Sequence, residues 1–458
     1  MLPEKSTLSR PRLEEIGSRL ELFVDRTLID RMVGLDLRLG TPQPREAALA
    51  FDRPWEGPAS AYATLFPDGE RYRLYYRGYP AAGQDLTCYA ESEDGVHWTR
   101  PELGFFSFNG SLRNNIVWTG PGSHNMAPFR DDRPGVPAEE RYKALAGEPP
   151  LALASPDGLH WRKLREAPVL TQGAFDSQNV AFWDVARGCY AAYFRVYHGG
   201  GRAGERGIAR SSSDDFLHWS DPEPLDLGDS PLEHLYTNGT TPYLRAPHIL
   251  LAFPSRFLPE RQVVSENPLP GLSDAVFMSS RDGLHFDRSF MEAFVRPGYG
   301  RRNWTDRTNM VSWGLLPTAP HELSLYISRH FRHPSAHLQR ATLRTDGFVA
   351  VHAPYQGGEL LTVPLLFEGE TLRLNYASSA AGSLRVEIQD WEGQPLPGFT
   401  LAEAVPLIGD EIAATANWRG GSRVGVLAGR PVRLRFVLQD ADLYSLQFTE
   451  AEKRPSTS

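Results

Sequence analysis

The chain has 458 residues, of which 41% are hydrophobic, 23% charged and 11% aromatic, and its formal net charge is −8 at pH 7. The acidic balance and the lack of a long basic run exclude a nucleic-acid partner on electrostatic grounds. No stretch approaches the roughly 20 apolar residues of a membrane-spanning helix, and Met1 to Glu21 has no apolar core of signal-peptide length, so no membrane partner is expected and the expected location is cytoplasmic.

Residues 1–50 read as a lead-in. Within it, Leu20-Glu-Leu-Phe-Val24 is a strand-like run that can supply an outer strand to the last repeat and so close a ring. From residue 51 a pattern of strands and turns begins to repeat. Ala61 to Phe66 and Tyr72 to Tyr76 are strand-like and are joined by Pro67-Asp-Gly-Glu70. Asp-Gly makes a tight turn because Gly tolerates positive φ and Asp bonds its own following backbone. The next strand runs into Ser92-Glu-Asp-Gly-Val-His-Trp98. The same ending returns as Ser155-Pro-Asp-Gly-Leu-His-Trp161, Ser213-Asp-Asp-Phe-Leu-His-Trp219 and Ser280-Arg-Asp-Gly-Leu-His-Phe286, with a weaker copy at Thr345-Asp-Gly-Phe348. The aligned Asp94, Asp157, Asp215, Asp282 and Asp346 are 63, 58, 67 and 64 residues apart.

A recurring unit of about four short strands is a propeller blade. Five units predict an all-β chain with a five-bladed β-propeller over residues 51–352. Beyond it the turn motif disappears, and Leu360 to Val363, Thr371 to Asn375, Ser383 to Ile388, Val432 to Val437 and Leu443 to Phe448 alternate polar and apolar residues. That pattern predicts a C-terminal β-sandwich over 353–450, with 451–458 as a flexible tail. His97, His160, His218 and His285 occupy one slot in successive units. Rotation around a ring carries them apart, so they cannot share a metal ion, and they read as structural parts of the turn. Cys88 and Cys189 lie in strand-like runs and read as buried free thiols.

The Ser-x-Asp-Gly-x-His-Trp turn resembles that of the five-bladed propeller glycosidases of glycoside hydrolase families 32, 43, 62 and 68. The C-terminal strands resemble the family 32 accessory sandwich. The family 32 signatures Asn-Asp-Pro-Asn-Gly, Arg-Asp-Pro and Glu-Cys are absent, and Phe129-Arg-Asp-Asp-Arg133 is a partial echo of the second, which marks a divergent member. Sialidase turns carry one more residue between Asp and Gly and need six blades. The resemblance implies a carbohydrate partner and glycosidase activity, with a furanoside such as a fructosyl or arabinosyl unit as one substrate class. It requires no cofactor, but it allows a structural calcium ion in the channel at the level of His330.

In a propeller the first strand of each blade lines the channel, so the residues leading into those strands are the candidate pocket. They are Trp55 to Pro58, His124 to Pro128, Phe175 to Asn179, Glu233 to Asn238 and Asn303 to Asn309. Glycoside hydrolysis needs two carboxyl groups across the scissile bond. Transferred position by position, the resemblance puts them at Glu56, Asp176 and Glu233, with Asp131 and Asp306 in reserve. Candidate substrate-binding residues are Asn125, Gln178, Asn179, Asn238, Trp304, Arg307 and Asn309. Arg77, Arg195 and Arg256 join them at the ends of second strands, with Arg329 and Lys143 in matching slots. Such cations can hold acidic partners or an anionic substrate. Trp55, Trp183 and Trp313 offer further stacking faces. A glycoside phosphorylase and a non-catalytic sugar-binding propeller remain open alternatives, and nothing indicates an oligomeric state.

Overall fold

The computed structural model describes residues 12–81, 83–199 and 201–450; the tail expected at 451–458 lies outside them. Among the described residues the chain is all-β apart from four single-turn 3-10 helices, and no helix is long and apolar enough to cross a membrane. It forms two compact units. One is Thr41–Leu343, and the other joins the described residues 12–40 with residues 344–450. The boundary expected at 352 therefore falls at 343, and most of the lead-in belongs with the C-terminal unit.

The larger unit contains five four-stranded antiparallel sheets. The first is Ala61–Asp68, Arg71–Gly78, Leu86–Ser92 and Ile116–Thr119. The second is Ala127–Arg130, Tyr142–Gly147, Pro150–Ser155 and Arg162–Lys163. The third is Val180–Asp184, Cys189–His198, Glu205–Ser213 and Glu223–Pro224. The fourth is Thr241–Tyr243, Ala246–Ala252, Met278–Ser280 and Phe286–Asp287, and His234–Leu235, Ser255–Leu258 and Leu272–Ala275 make a separate three-stranded sheet. The fifth is Leu316–Ala319, Glu322–Arg329, His337–Arg344 and, from the other end of the chain, Gln43–Ala50. Gln43–Ala50 thus takes the outer position expected of Leu20 to Val24. Its exposed polar residues suit a sheet edge. Leu20, Leu22, Phe23 and Val24 are all buried instead, and Glu21–Leu22 pairs with Val432–Thr449 in the other unit.

Middle strands such as Tyr142–Gly147 and Pro150–Ser155 are buried along their whole length. Sheets covered on both faces lose the polar alternation of a half-wet sheet, so these strands read as Ala-Leu-Ala runs. Four turns share one construction. In the first, Asp94 Oδ1 accepts the backbone N–H groups of Val96 and His97, both at 2.8 Å, and Ser92 Oγ accepts that of Gly95 at 2.8 Å. The His97 ring Nδ1 lies 2.7 Å from Asp94 Oδ2. Asp157 with His160, Asp215 with His218 and Asp282 with His285 repeat the arrangement, so each histidine serves its own turn. Burial opposes ionisation of Asp157 and Asp282, but bonds from histidine and backbone outweigh it and hold both carboxyls at about 2. The fifth copy departs from this pattern: Asp346 lies in the other unit and accepts bonds from Asn375 and Ser445.

Three of the five sheets also reach into another sheet's turn. The buried Tyr75 hydroxyl of the first sheet donates to Gly158 O in the second sheet's turn at 2.8 Å. Tyr193 of the third donates to Gly283 O in the fourth's turn at 2.9 Å. Tyr326 of the fifth donates to Gly95 O in the first sheet's turn, which brings the last sheet against the first. Cys88 is a buried free thiol, whereas Cys189 opens a strand and is only half-buried.

In the other unit, Thr371–Asp390 pairs along most of its length with Val432–Thr449. Leu372, Leu374, Leu434, Phe436 and Phe448 line its core with Phe23, and the Phe367 and Phe448 rings stack with centroids 3.7 Å apart.

Tyr75→Phe, Tyr193→Phe and Tyr326→Phe each leave a buried carbonyl without its donor and should cost about 1–3 kcal/mol in urea unfolding, against no more than about 0.5 kcal/mol for the exposed Tyr299→Phe. The turn carboxyls have folded values below the ordinary one of about 3.9. Their stabilisation is therefore complete above that value and is lost as pH falls towards 2. A thermal-unfolding series across that window should show the loss, and Asp157→Asn with Asp282→Asn should make it shallower, with Asp94 and Asp215 supplying the remainder.

Candidate functional site

Two tyrosines form the floor of a polar cluster in the larger unit. Tyr62 sits in the first strand of the first sheet, where the ladder register shifts between Ala61 and Thr64. Such a bulge re-aims a side chain. Tyr236 directly follows His234–Leu235. The two are 6% and 8% exposed, and each influences the ionisation of the other. They pack with Met310, Phe331 and Phe257.

Guanidinium groups surround this pair. The Arg77 Cζ lies 4.8 Å from the Tyr62 ring centroid. Arg195, Arg206 and Arg307 lie 5.1, 5.7 and 5.7 Å from that of Tyr236. Cations over aromatic faces are mutually stabilising. Burial opposes ionisation of Tyr236, but Arg307, Arg195 and the Tyr62 hydroxyl outweigh it and bring its phenol below the ordinary value. Tyr62 is pushed well up, by burial first and then by Tyr236 beside it.

Three carboxylates flank the floor. Asp176, with a side chain 38% exposed, is ion-paired with the buried Arg195. Asp306 is buried and takes Arg307 Nε and Arg332 Nη1, each at 3.0 Å, and Asn267 Nδ2 at 3.1 Å. Asp85 lies 3.3 Å from the His124 ring and 3.9 Å from Arg77 Nε. Tyr62, Arg77, Asp85 and Arg206 lie at the start of a first or third strand or the end of a second, and Asp176, Arg307 and Arg332 lie in the loops beside such ends.

The backbone here is strained. Tyr62, Arg307 and Arg332 hold φ of 52°, 56° and 66°, and Asn309 and His330 nearby are also left-handed. Bulky residues rarely occupy this region, and such strain concentrates at functional sites.

Of the predicted site residues, the cluster gathers Asp176, Arg77, Arg195 and Arg307, together with the reserve acid Asp306. Glu56 is placed elsewhere. Its fully buried carboxylate accepts from Tyr76 Oη at 2.5 Å and Arg100 Nε at 2.8 Å on one oxygen, and from Arg53 N at 3.0 Å on the other. A carboxylate so enclosed cannot meet a glycosidic oxygen, and it braces the first sheet instead. Glu233 is held between Arg256 Nη1 at 3.1 Å and Arg288 Nη2 at 3.0 Å, and Arg256 also grips Asp274. Asp131 is buried against Lys143 Nζ and Tyr190 Oη, both at 2.6 Å. Lys143 stands at the start of its strand, whereas Arg77 stands at the end of its own, so the two slots do not match. Arg329 falls three residues after Tyr326, where Arg77 and Arg195 follow Tyr75 and Tyr193 by two. It bonds Asn309 and Gln339.

Most of the predicted amides tie separate segments together, and Asn179 braces its own lead-in. Asn125 Nδ2 donates to Phe175 O at 2.6 Å and Ser177 O at 2.8 Å. Asn179 donates to Phe175 O, Asn238 to Tyr193 O and Asn309 to Ser273 O. Gln178 Nε2 reaches from the third sheet to Ala63 O and Thr64 Oγ1 of the first. With their carboxamides bonded to backbone, these residues position the strands. Trp313 is buried in the core, Trp55 donates to Asn115, and Trp304 is 36% exposed with its Nε1 on Gly298 O at 2.8 Å. His330 bonds Ser335 with His333 and His337 close by. Burial, His337 and Arg302 lower its pKa to about 4. Calcium takes six to eight oxygen ligands, and this nitrogen-rich, cation-flanked setting does not fit it.

Tyr236 and His124 lie inside the segments that the sequence singles out, but neither is an acid or an amide. Tyr62, Asp85, Arg206 and Arg332 lay outside them. Left-handed φ at a tyrosine or arginine leaves no mark in the sequence.

No family model matches the chain, and no curated protein matches it. Solved structures similar to it include a protein described as "Glycoside hydrolase", 12% identical, with a TM-score of 0.48 over 69% of this chain and 95% of that one. Another, a glycosyl hydrolase from Bacteroides ovatus, is 14% identical, with a TM-score of 0.39 over 71% of this chain and 93% of that one.

Ultraviolet difference titration of the phenolate band should show one tyrosine ionising below the ordinary range. Tyr236→Phe should remove that transition, and Arg307→Met should move it to higher pH.

Proposed function

We propose that the five four-stranded sheets are the blades of a five-bladed propeller, that the second unit is an accessory β-sandwich, and that the chain is a glycosidase acting at the Tyr62–Tyr236 cluster. The observation that carries this reading is Asp176: a partly exposed carboxylate at the lead-in to a first strand, paired with buried Arg195, whose guanidinium lies by the Tyr236 ring. The recurring turn, with its resemblance to propeller glycosidases, supports the same conclusion.

Glycoside hydrolysis places two acidic groups on either side of the bond. Asp176, the ion-pair acceptor of Arg195, suits the base or nucleophile. Across the tyrosine pair, Asp85 and His124 lie 3.3 Å apart and are both partly exposed. They suit the proton donor to the leaving oxygen. The half-buried ring faces of Tyr79 and Tyr197 beside Arg77 and Arg195 offer the sugar an apolar surface. The density of arginine supports phosphorolysis as a second reading, in which inorganic phosphate replaces one carboxylate.

A panel of nitrophenyl furanosides and pyranosides, run with and without inorganic phosphate, tests both. Turnover without phosphate is expected. Asp176→Asn should lower kcat by about 10²–10⁴-fold, whereas Glu233→Gln should change it only a few-fold. No turnover of any member, with or without phosphate, would remove the enzymatic reading in favour of a sugar-binding module.

A further inference from the structure

The cluster carries more positive than negative charge. Arg77, Arg195, Arg206, Arg307 and Arg332 stand against Asp85, Asp176 and Asp306, and each of these acids is already engaged. Asp176 is taken by Arg195, and Asp306 by Arg307 and Arg332. Asp85 is shared between Arg77 and His124. That leaves Arg206. Its side chain lies against the rings of Phe257, Tyr236 and Tyr197 at 5.3, 5.7 and 5.8 Å, and one Nη approaches the His234 ring at 3.4 Å. Burial and Arg206 itself lower the pKa of His234, which favours its neutral form. The Nε atoms of Arg206 and Arg195 are buried with no hydrogen-bond acceptor.

A buried donor on a cation, left without an acceptor, is costly. Two such donors, on guanidinium groups that both lie by the Tyr236 ring, mark a place where an acceptor is missing. We propose that this is a binding site for an oxyanion, and that the substrate carries it as the carboxylate of an acidic sugar. The inference rests on the glycosidase reading and names its substrate class. The planar fork of a guanidinium matches the two oxygens of a carboxylate. The aromatic rings interleaved with the arginines give a pyranose face something to lie on, and a free phosphate has no apolar face to use them.

Calorimetric titration of the whole chain with glucuronate, galacturonate, glucose, galactose and inorganic phosphate tests the proposal. At least one uronate should bind tenfold or more tighter than its neutral counterpart. That preference should fall steeply with added salt and collapse in Arg206→Met. The salt series uses the unaltered chain, so it decides the question even if the variant does not fold. Equal affinity for acidic and neutral sugars, or a preference that survives both salt and Arg206→Met, would overturn the proposal. Phosphate binding tighter than either uronate would overturn the acidic-sugar assignment and identify free phosphate as the oxyanion. Uronate binding without turnover of any nitrophenyl glycoside would support this site while counting against the glycosidase reading.

Discussion

The hydrogen bond from a buried tyrosine hydroxyl to the carbonyl of a neighbouring sheet's turn is the contact on which the larger unit depends. Tyr75, Tyr193 and Tyr326 each make it, and each target is the glycine of a turn already tightened by its own aspartate, serine and histidine. The carbonyl is therefore held rigidly before the tyrosine arrives. Because one of the three joins the last sheet to the first, sheets remote along the chain become neighbours. The asparagine clasps reinforce the same alignment. Asn125, Asn238 and Asn309 each bond the backbone of an adjoining element.

That alignment explains how a charged cluster is tolerated in a mostly apolar body. Five arginines are expensive to desolvate. Here their flat faces lie on tyrosine and phenylalanine rings, and three aspartates balance part of the charge. The Tyr62–Tyr236 pair adjusts to the same field. The phenol nearest the cations is eased towards ionisation and its partner is driven away from it. The left-handed backbone at Tyr62, Arg307 and Arg332 is the conformational cost of aiming these side chains inward.

Much of the scaffold was legible in the sequence because it repeats. The spacing of Asp94, Asp157, Asp215 and Asp282 located four turns, and the strand runs before them located the sheets. The outer strand of the fifth sheet was misplaced because Leu20 to Val24 looks like a better strand than Gln43–Ala50, yet an edge favours the more polar segment. The site was less legible. Counting back from second strands found Asp176 and Arg307, because they lead into first strands, and found Glu56 by the same rule. Sequence position could not distinguish an acid open to solvent from one enclosed by Tyr76 and Arg100. Asparagines that clasp backbone also look the same in sequence as asparagines that bind sugar. Asp85 and Arg206 were missed because they begin third strands, which the count did not visit.

X-ray diffraction from crystals of the whole chain would establish whether the fifth sheet closes on the first and so brings the cationic cluster together. The Tyr326 hydroxyl is expected on the Gly95 carbonyl, with Asp176 on Arg195 and the Tyr62–Tyr236 pair between Arg77 and Arg307. A gap or a sixth sheet between the fifth and the first, or Asp176 turned away from Arg195 into bulk water, would contradict that arrangement.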